Sequence, residues 1–252
     1  MINDTTEDRV LDGRVRLRQP LRGYRAGLDA ALLAAACDAG PGARVIEAGC
    51  GAGGALLAAA ARRPEASFTG IERDPKALAL ARENIALNGL EGRVEALAGD
   101  VAKRFSGLGL APFNAALANP PFFDDPDALR GPAAERREAW MADDGLEAWI
   151  VFLSKAVREG GTISLIHRAE RLADILRLLA PKAGSFQVRP VLPFADQPAK
   201  RVLVRAVKSG KAPMRLLPAL VLHDRPAARA EGGKHTAEAE AILRGEAGLD
   251  WR

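Results

Sequence analysis

A chain of 252 residues, 48% hydrophobic and 27% charged, is long enough to bury a sizeable core in one large domain or two small ones. Its two cysteines exclude a disulfide framework, and no run of about 18 uncharged apolar residues predicts a membrane span. The acidic N-terminus is not typical of a secretory signal, so we expect a cytoplasmic protein, and the net charge of +4 is compatible with a nucleic-acid partner.

The first forty residues predict a hairpin followed by a helix. Residues 1–8 are polar and are expected to be disordered. Asp12-Gly13 then separates an apolar pair from the alternating run Arg14–Arg18, a pattern typical of a tight hairpin. Residues 28–37 favour an apolar helix, which Gly40-Pro41 ends.

From residue 43 onward, apolar runs alternate with helical patterns. The expected strands are 43–49, 67–72, 94–99, 113–118, 162–167, 186–193 and 200–207, and the expected helices are 53–63, 75–88, 145–158, 169–180 and a tail helix within 235–245. The last two strands have little between them and are expected to pair antiparallel at one edge. The alternation predicts an α/β fold, with a mostly parallel sheet covered by helices on both faces.

A glycine-rich segment, EAGCGAG, follows the first of these strands and begins the next helix. Gly49, Gly51 and Gly53 let a ligand approach the backbone where a Cβ would clash. Glu47 lies two residues before the first glycine, where a carboxylate repels a pyrophosphate and favours a cation. An adenosyl ligand that carries an amino acid and a sulfonium therefore fits better than a dinucleotide. The alternatives are a plain strand-to-helix turn and a structural cap at Glu47.

Two further acids end the next two strands. Glu72 follows Gly49 by 23 residues, the place where an acid accepts hydrogen bonds from both ribose hydroxyls of a bound nucleoside. Asp100 follows the third strand and either accepts from an adenine amine or caps the turn. The alternative for Glu72 is a surface acid at a strand end.

The fourth strand ends in Asn119-Pro120-Pro121-Phe122. The prolines stop the strand because proline cannot donate to a sheet ladder. The side-chain carbonyl of Asn119 and the backbone carbonyl of Pro120 are two acceptors that match the two N–H bonds of a planar amine. Phe122 is expected to stack on the base. Transfer of a reactive sulfonium methyl group to that amine would then need only positioning and electrostatic stabilisation. The alternative is a strand stop with a hydrophobic corner.

These segments resemble the class I S-adenosylmethionine-dependent methyltransferases of the NPPF/Y amino-methylating type. EAGCGAG is similar to their glycine-rich first motif, and NPPF to the motif of enzymes that methylate adenine, cytosine or a glutamine amide. The resemblance covers residues 30–207 and implies a Rossmann-like seven-stranded sheet with one antiparallel strand. It implies S-adenosylmethionine as the cofactor. We expect residues 41–252 to form the methyltransferase domain with a C-terminal tail, and residues 1–40 to pack on it.

A narrower resemblance lies in LDGRVRLRQPLRGYRAGLDAALLAAA, residues 11–36. It is similar to the segment before the core in the bacterial tRNA1(Val) (adenine-37-N6)-methyltransferase family, although Glu47 replaces the more usual aspartate. The likeness implies that Gly27 and Asp29 lie near the cofactor, Gly49 and Gly51 line its methionine end, Glu72 holds the ribose, Asp100 meets the adenine ring, and Asn119 to Phe122 hold the target base.

An arginine-rich stretch in the same region predicts a basic edge. Six arginines fall between Arg9 and Arg25, and RNA contact is expected through Arg14, Arg16, Arg18, Arg22 and Arg25. A solvated surface is the alternative. The leading hypothesis is an RNA adenine N-methyltransferase that acts on tRNA. The others are a methyltransferase for a protein glutamine or a small-molecule oxygen, and a non-catalytic adenosyl-ligand-binding module. The three histidines show no metal spacing, so no metal is expected.

Overall fold

The structure is a computed structural model that describes residues 5–21, 25–121, 145–225 and 234–251. It begins with an antiparallel hairpin of β1 (Thr5–Val10) and β2 (Val15–Pro20), in register from Thr5 opposite Pro20 to Val10 opposite Val15. The expectation that residues 1–8 are disordered is wrong for residues 5–8. Their acidic side chains find cationic partners, because Glu7 accepts hydrogen bonds from Arg16 on the facing strand.

A larger α/β unit follows the hairpin. Its strands are β3 (Arg44–Ala48), β4 (Ser67–Glu72), β5 (Val94–Ala98), β6 (Phe113–Ala118), β7 (Val157–Arg168), β8 (Ala183–Leu192), β9 (Arg201–Lys208), β10 (Arg215–Leu216) and β11 (Leu220–Val221). Its helices are α1 (Leu28–Ala35), α2 (Gly54–Arg62), α3 (Pro75–Leu87), α4 (Leu146–Ala156), α5 (Leu172–Leu179) and α6 (Ala237–Arg244). Within the four described ranges, every helix is too short or too polar to cross a bilayer.

The described strands of this unit form one sheet in the order β10-β8-β9-β7-β6-β3-β4-β5, and β11 also pairs with β8. Strand β9 is antiparallel to both β7 and β8, and the other pairings are parallel. The seven longer strands confirm the predicted seven-stranded fold and the antiparallel pairing of its last two strands. The chain runs outward from β3 to β5 and returns to β6 on the other side of β3. Such a reversal of strand order opens a crevice at the carboxyl ends of the two strands.

Both faces of the central strands are buried. On one face, Val45 and Leu117 pack with the apolar side chains of α1 and α2. On the other, Ile46 and Ala116 pack with α4, including Trp149. Successive side chains on a strand point to opposite faces, so a strand covered on both sides needs a continuous apolar run.

The boundary between α4 and β7 differs from the prediction. The helix ends at Ala156 instead of residue 158, and the strand begins at Val157 instead of residue 162. Val157 is already extended and pairs with Phe113 before the register shifts. Gly161 lies in this irregular stretch, where a Cβ would come within 2.8 Å of the Arg158 carbonyl oxygen and 2.9 Å of the Asn114 carbonyl oxygen. Gly161 therefore belongs to an irregularity in the strand.

The C-terminal segment folds back on the first helices. The predicted tail helix is present as α6, capped by the Thr236 hydroxyl, which accepts from the Ala239 amide. Beyond it, the Leu249 amide donates to the Ala35 carbonyl at 3.1 Å, and the Trp251 indole N–H donates to the Ala36 carbonyl at 2.8 Å. These bonds satisfy carbonyl groups at the end of α1 that the helix itself leaves unpaired.

Candidate active site

A pocket lies at the carboxyl ends of β3 and β6, where the strand order reverses. Glu47, Gly49 and Asn119 line its sheet side, and Gln19, Ala26 and Ala30 line the side formed by the hairpin and α1. Open parallel sheets bind ligands at this place because the loops that follow neighbouring strands diverge there.

The glycine turn between β3 and α2 has a left-handed backbone conformation that residues with a Cβ rarely adopt. Gly49, Gly51 and Gly53 have φ values of +64°, +56° and +90°. A Cβ on Gly49 would lie 2.3 Å from the Trp149 ring, and one on Gly54 would lie 2.2 Å from the Ala26 Cβ. The turn therefore needs glycine both for its conformation and for the close approach of its neighbours.

Glu47 is a buried acid with an unmet hydrogen-bonding capacity. Its side chain is 3% exposed, and its Oε2 atom has no hydrogen-bond partner among the described residues. Burial raises the pKa of Glu47 well above its ordinary value, the negative charge of Glu72 raises it further, and a backbone hydrogen bond from Leu56 opposes the shift. An uncompensated buried carboxylate is costly, so a cation in this pocket would stabilise the ionised form.

Glu72 ends β4 and is held by backbone donors. Its Oε2 accepts from the Gly51 amide at 2.8 Å, and its Oε1 accepts from the Arg73 amide at 2.9 Å and the Asp74 amide at 2.8 Å. These bonds fix the carboxylate against the glycine turn. Oε1 already accepts two bonds, whereas Oε2 accepts one and keeps a lone pair that can accept from a ligand hydroxyl.

Asp100 follows β5 and caps the next turn. Its Oδ1 accepts from the Ala102 amide at 2.9 Å, so the capping alternative accounts for one of its two oxygens. Its position at the third strand end places it on the same edge of the sheet as Glu72.

Asn119 follows β6 directly beside the glycine turn. Ala118 pairs with Ala48, so the residues after them, Asn119 and Gly49, are neighbours at the sheet edge. Asn119 lines the pocket with Glu47, Pro120 is buried, and Pro121 is partly exposed. Phe122 lies outside the described residues.

The methyltransferase small domain family matches residues 26–136 of the chain. The tRNA1(Val) (adenine(37)-N6)-methyltransferase of Porphyromonas gingivalis is 31% identical over 188 residues, which are 71% of this chain and 72% of that enzyme. The chain belongs to the class I S-adenosylmethionine-dependent methyltransferases with this domain. The resemblance seen in the two motifs is thereby confirmed.

Other relatives of this methyltransferase chain are named for a different target, a glutamine. The release factor glutamine methyltransferase of Deinococcus radiodurans is 32% identical over 175 residues, 66% of this chain and 59% of that enzyme. That of Caulobacter vibrioides is 33% identical over 183 residues, 72% of this chain and 55% of that enzyme. The chain thus spans less than two thirds of the length of these two curated relatives.

Solved structures confirm the methyltransferase fold. The crystal structure of a predicted O-methyltransferase from Agrobacterium tumefaciens superposes with a TM-score of 0.71 and 27% identity, over 88% of this chain and 98% of that one. TrmN from Thermus thermophilus superposes with a TM-score of 0.53 and 23% identity, over 75% of this chain and 50% of that one. The second likeness concerns the fold alone.

The pocket of the methyltransferase fits the cofactor of its family. The Oε2 of Glu47, which has no partner among the described residues, suits an amino-acid ammonium group, and Gly51, where an added Cβ would meet no atom within 4 Å, leaves the backbone open to close approach. In the described part of the chain, no three His, Cys, Asp or Glu side chains are placed to hold a metal ion.

The start of α1 contributes to the pocket through neighbours of the predicted residues. Gly27 is the N-cap of α1, and its neighbour Ala26 lines the pocket, as does Ala30. Asp29 itself accepts a hydrogen bond from the Arg201 guanidinium at 3.0 Å and so ties α1 to β9. The cofactor contact expected of Gly27 and Asp29 stays a prediction.

Two residues at the site escape the sequence analysis. Gln19 is buried in the pocket wall, and Trp149 packs against the glycine turn from α4. Val15, Leu17 and Gln19 alternate with arginines along β2, so the alternation itself predicts Gln19 as an inward-facing polar residue. No local pattern indicates which glycine Trp149 meets.

The arginines of the predicted basic edge make contacts within the chain. The Arg14 guanidinium donates to the Arg244 carbonyl, and Arg16 and Arg18 both pair with Glu7. Arg25 pairs with Asp8. Arg22 lies outside the described residues. The RNA contact of this edge stays a prediction, and its described arginines already share their charge or hydrogen bonds with partners.

Proposed function

We propose that the protein is an S-adenosylmethionine-dependent N-methyltransferase that acts on the exocyclic amine of an adenine in RNA, with tRNA as the substrate. The observation that carries the proposal is the position of Asn119-Pro120-Pro121 at the end of β6, beside the pocket of Glu47 and Gly49. The similarity to a tRNA adenine N6-methyltransferase over 72% of that enzyme supports adenine as the target.

Each part of the site has a distinct role in this proposal. Glu47 would hold the ammonium group of the cofactor, the glycine turn its methionine end, Glu72 the ribose and Asp100 the adenine ring. When bound, the cofactor supplies a methyl group on a sulfonium. The Asn119 side-chain carbonyl and the Pro120 backbone carbonyl accept the two N–H bonds of the target amine. Both prolines lack an N–H, so neither of them donates to these acceptors.

The burial of Asn119 and Pro120 supports the role proposed for these two acceptors. Pro120 is buried and Asn119 is partly buried, so hydrogen bonds made here meet less competition from water. Orientation of the nitrogen lone pair toward a reactive methyl group then accounts for catalysis through positioning and electrostatics.

RNA binding completes the proposal. We propose that Arg14, Arg16, Arg18, Arg22 and Arg25 meet RNA phosphates along the hairpin, beside a target base that is unstacked or turned out of its helix.

A second candidate is methylation of a glutamine amide in a protein. The identities of 32% and 33% with release factor glutamine methyltransferases favour it, and a glutamine amide offers the same two N–H bonds as adenine. The acceptor pair at Asn119 and Pro120 therefore suits both amines, and the rest of the substrate decides between them.

A transfer assay with two substrates separates these candidates. The purified protein is incubated with labelled S-adenosylmethionine and either tRNA from cells that lack the gene or a glutamine-containing release factor. Digestion and mass spectrometry then identify the product. We expect N6-methyladenosine in the tRNA and no methylglutamine; methylglutamine alone would replace adenine with the second candidate.

A further inference from the structure

Gln19 makes paired hydrogen bonds with the backbone of one residue. It is the last inward-facing residue of β2 before Pro20, and it is 3% exposed. Its Oε1 accepts from the Ala26 amide at 2.7 Å, and its Nε2 donates to the Ala26 carbonyl at 3.3 Å and to Asp8 Oδ2 at 2.7 Å. The carboxamide thus holds Ala26 from both sides, as a neighbouring strand would.

Ala26 is a structural part of the pocket wall. It lines the pocket with Glu47 and Gly49, and its Cβ packs so closely on α2 that a Cβ on Gly54 would lie 2.2 Å away. Gly27, the next residue, is the N-cap of α1. The position of Ala26 therefore determines how closely the start of α1 packs against the start of α2, beside the buried carboxylate of Glu47.

A second layer supports this amide. Asp8 Oδ2 accepts from both Gln19 and the Arg25 guanidinium, and Arg25 also donates to the Thr6 hydroxyl and the Pro20 carbonyl, both at 2.8 Å. Both strands of the hairpin are in this way tied to the segment that begins α1.

The inward face of β2 has apolar residues at its other two buried positions, Val15 and Leu17. A buried amide costs free energy unless its donors and acceptor are paired, and here the described partners satisfy both donors and the acceptor. An apolar residue at position 19 would fill the same face, but it would leave the backbone of Ala26 without these bonds.

We propose that Gln19 is a positioning residue for cofactor binding. Its carboxamide holds Ala26 against Gly54 and so builds the hairpin side of the pocket that receives the amino-acid end of S-adenosylmethionine. The hairpin is then a preformed part of the cofactor site, and its order before binding lowers the entropic cost of binding. The inference rests on the cofactor of the proposed function and is independent of which amine is methylated.

Cofactor affinity measured without any methyl acceptor tests the inference. Calorimetry with S-adenosylhomocysteine is done on the full chain and on Gln19→Leu, which keeps the volume and removes the three hydrogen bonds. We expect affinity to fall about tenfold or more in Gln19→Leu. Wild-type affinity in Gln19→Leu would overturn the inference.

A matched control separates positioning from general stability. Gln187 on β8 is partly buried, accepts from Arg205 at 2.8 Å and donates to the Trp251 carbonyl, away from the pocket. Gln187→Leu therefore removes comparable bonds between distant segments. We expect it to lower the melting temperature and to keep wild-type cofactor affinity. An equal loss of affinity in both variants would show that stability alone is measured and would overturn the inference.

A charge exchange gives a second readout that holds even where Gln19→Leu does not fold. Gln19→Glu places a second carboxylate against Asp8 and removes the donor to Ala26, so it should weaken binding. Adding Asp8→Asn restores a donor to that carboxylate and is expected to recover part of the affinity. Equal affinity with and without Asp8→Asn would contradict the inference. If the wild-type protein binds the cofactor normally but does not methylate tRNA, the RNA substrate is refuted. The inference about Gln19 would still stand, because it concerns cofactor binding alone.

Discussion

The carboxyl ends of β3 and β4 each carry a glutamate, and the two side chains have opposite surroundings. Glu72 accepts hydrogen bonds from three backbone amides, those of Gly51, Arg73 and Asp74. Glu47 is 3% exposed and has an oxygen without a hydrogen-bond partner in the described ranges. The sheet edge therefore carries one carboxylate whose oxygens accept from backbone amides and one, in the pocket, whose ionised form a cation would stabilise.

From this difference we propose that neighbouring strands meet separate parts of one ligand. Glu72 suits a neutral hydroxyl group, since its Oε2 keeps one lone pair after its backbone bond. Glu47 suits an ammonium group, since ionisation in a buried site is otherwise costly. Asn119 follows β6, on the other side of β3 from β4, and we propose that it accepts from the target amine.

Asn119→Ala has the largest expected effect and separates target from cofactor. We expect methyl transfer to fall by at least about 10²-fold, because a positioned acceptor is removed, while cofactor affinity stays near that of the wild type. Calorimetry with S-adenosylmethionine and a transfer assay measure the two. Asn114→Ala is the matched control, since Asn114 is the second residue of β6, which Asn119 follows, and accepts from the Arg44 amide away from the pocket. Unchanged transfer in Asn119→Ala would remove this residue from the reaction.

Glu47→Gln has the next largest effect and tests the charge of the buried Glu47 carboxylate. The amide keeps the shape and removes the charge, so we expect cofactor binding to weaken by about 2 to 3 kcal/mol. The empty protein should become more stable near pH 8, because a neutral group replaces a buried acid. A variant that binds as tightly as the wild type would show that Glu47 is only a structural cap.

Glu72→Ala should lower both cofactor affinity and the stability of the empty protein. We expect cofactor affinity to fall by about 1 to 2 kcal/mol, and stability to fall as well because the Gly51 amide loses its acceptor. Calorimetry and thermal unfolding measure the pair. If Glu72→Ala were more stable than the wild type, the backbone bonds of Glu72 would not stabilise the protein, and the difference between Glu72 and Glu47 would not hold.

Cofactor affinity should depend on pH through Glu47. Burial raises the pKa of Glu47 in the empty pocket, and an ammonium group would lower it again. Binding should therefore release a proton, and affinity should rise with pH until it passes the raised pKa of the empty pocket. The empty folded protein also binds more protons than the unfolded chain, so this residue's contribution to stability falls as pH rises above 4.5. Calorimetry in buffers of different ionisation enthalpy counts the proton; the same count in Glu47→Gln would contradict this origin.

The hairpin arginines have the smallest expected effect. Neutralising Arg16 and Arg18 should lower RNA affinity and flatten its salt dependence, with a change in slope of about 0.9 for each RNA phosphate that no longer meets an arginine. The effect is limited because Glu7 already pairs with both side chains. A salt slope equal to that of the wild type would move the RNA surface elsewhere.

Short-range patterns predicted the frame of the site. The alternation of strands and helices placed Glu47, Glu72, Asp100 and Asn119 at strand ends, and parallel strands bring such ends to one edge. The glycine spacing predicted the tight turn, since three positive-φ positions lie within five residues.

Contacts between distant segments account for what the sequence analysis missed. The pairing of Gln19 with Ala26 needs the chain to leave β2 and return at α1, and the Arg14 bond to Arg244 joins opposite ends of the chain. The arginine pattern predicted exposure, which holds for Arg16 and Arg18, but pattern alone does not reveal that Glu7 lies between them. The start of β7 at Val157 depends on its pairing with Phe113, another distant contact.

The most direct test of the central claim is mass spectrometry of nucleosides in total tRNA from cells that lack the gene, complemented with the wild type or with Asn119→Ala. The account predicts that N6-methyladenosine at the affected site is absent in the deletion, restored by the wild type and not restored by Asn119→Ala. An identical nucleoside profile in all three strains would contradict it.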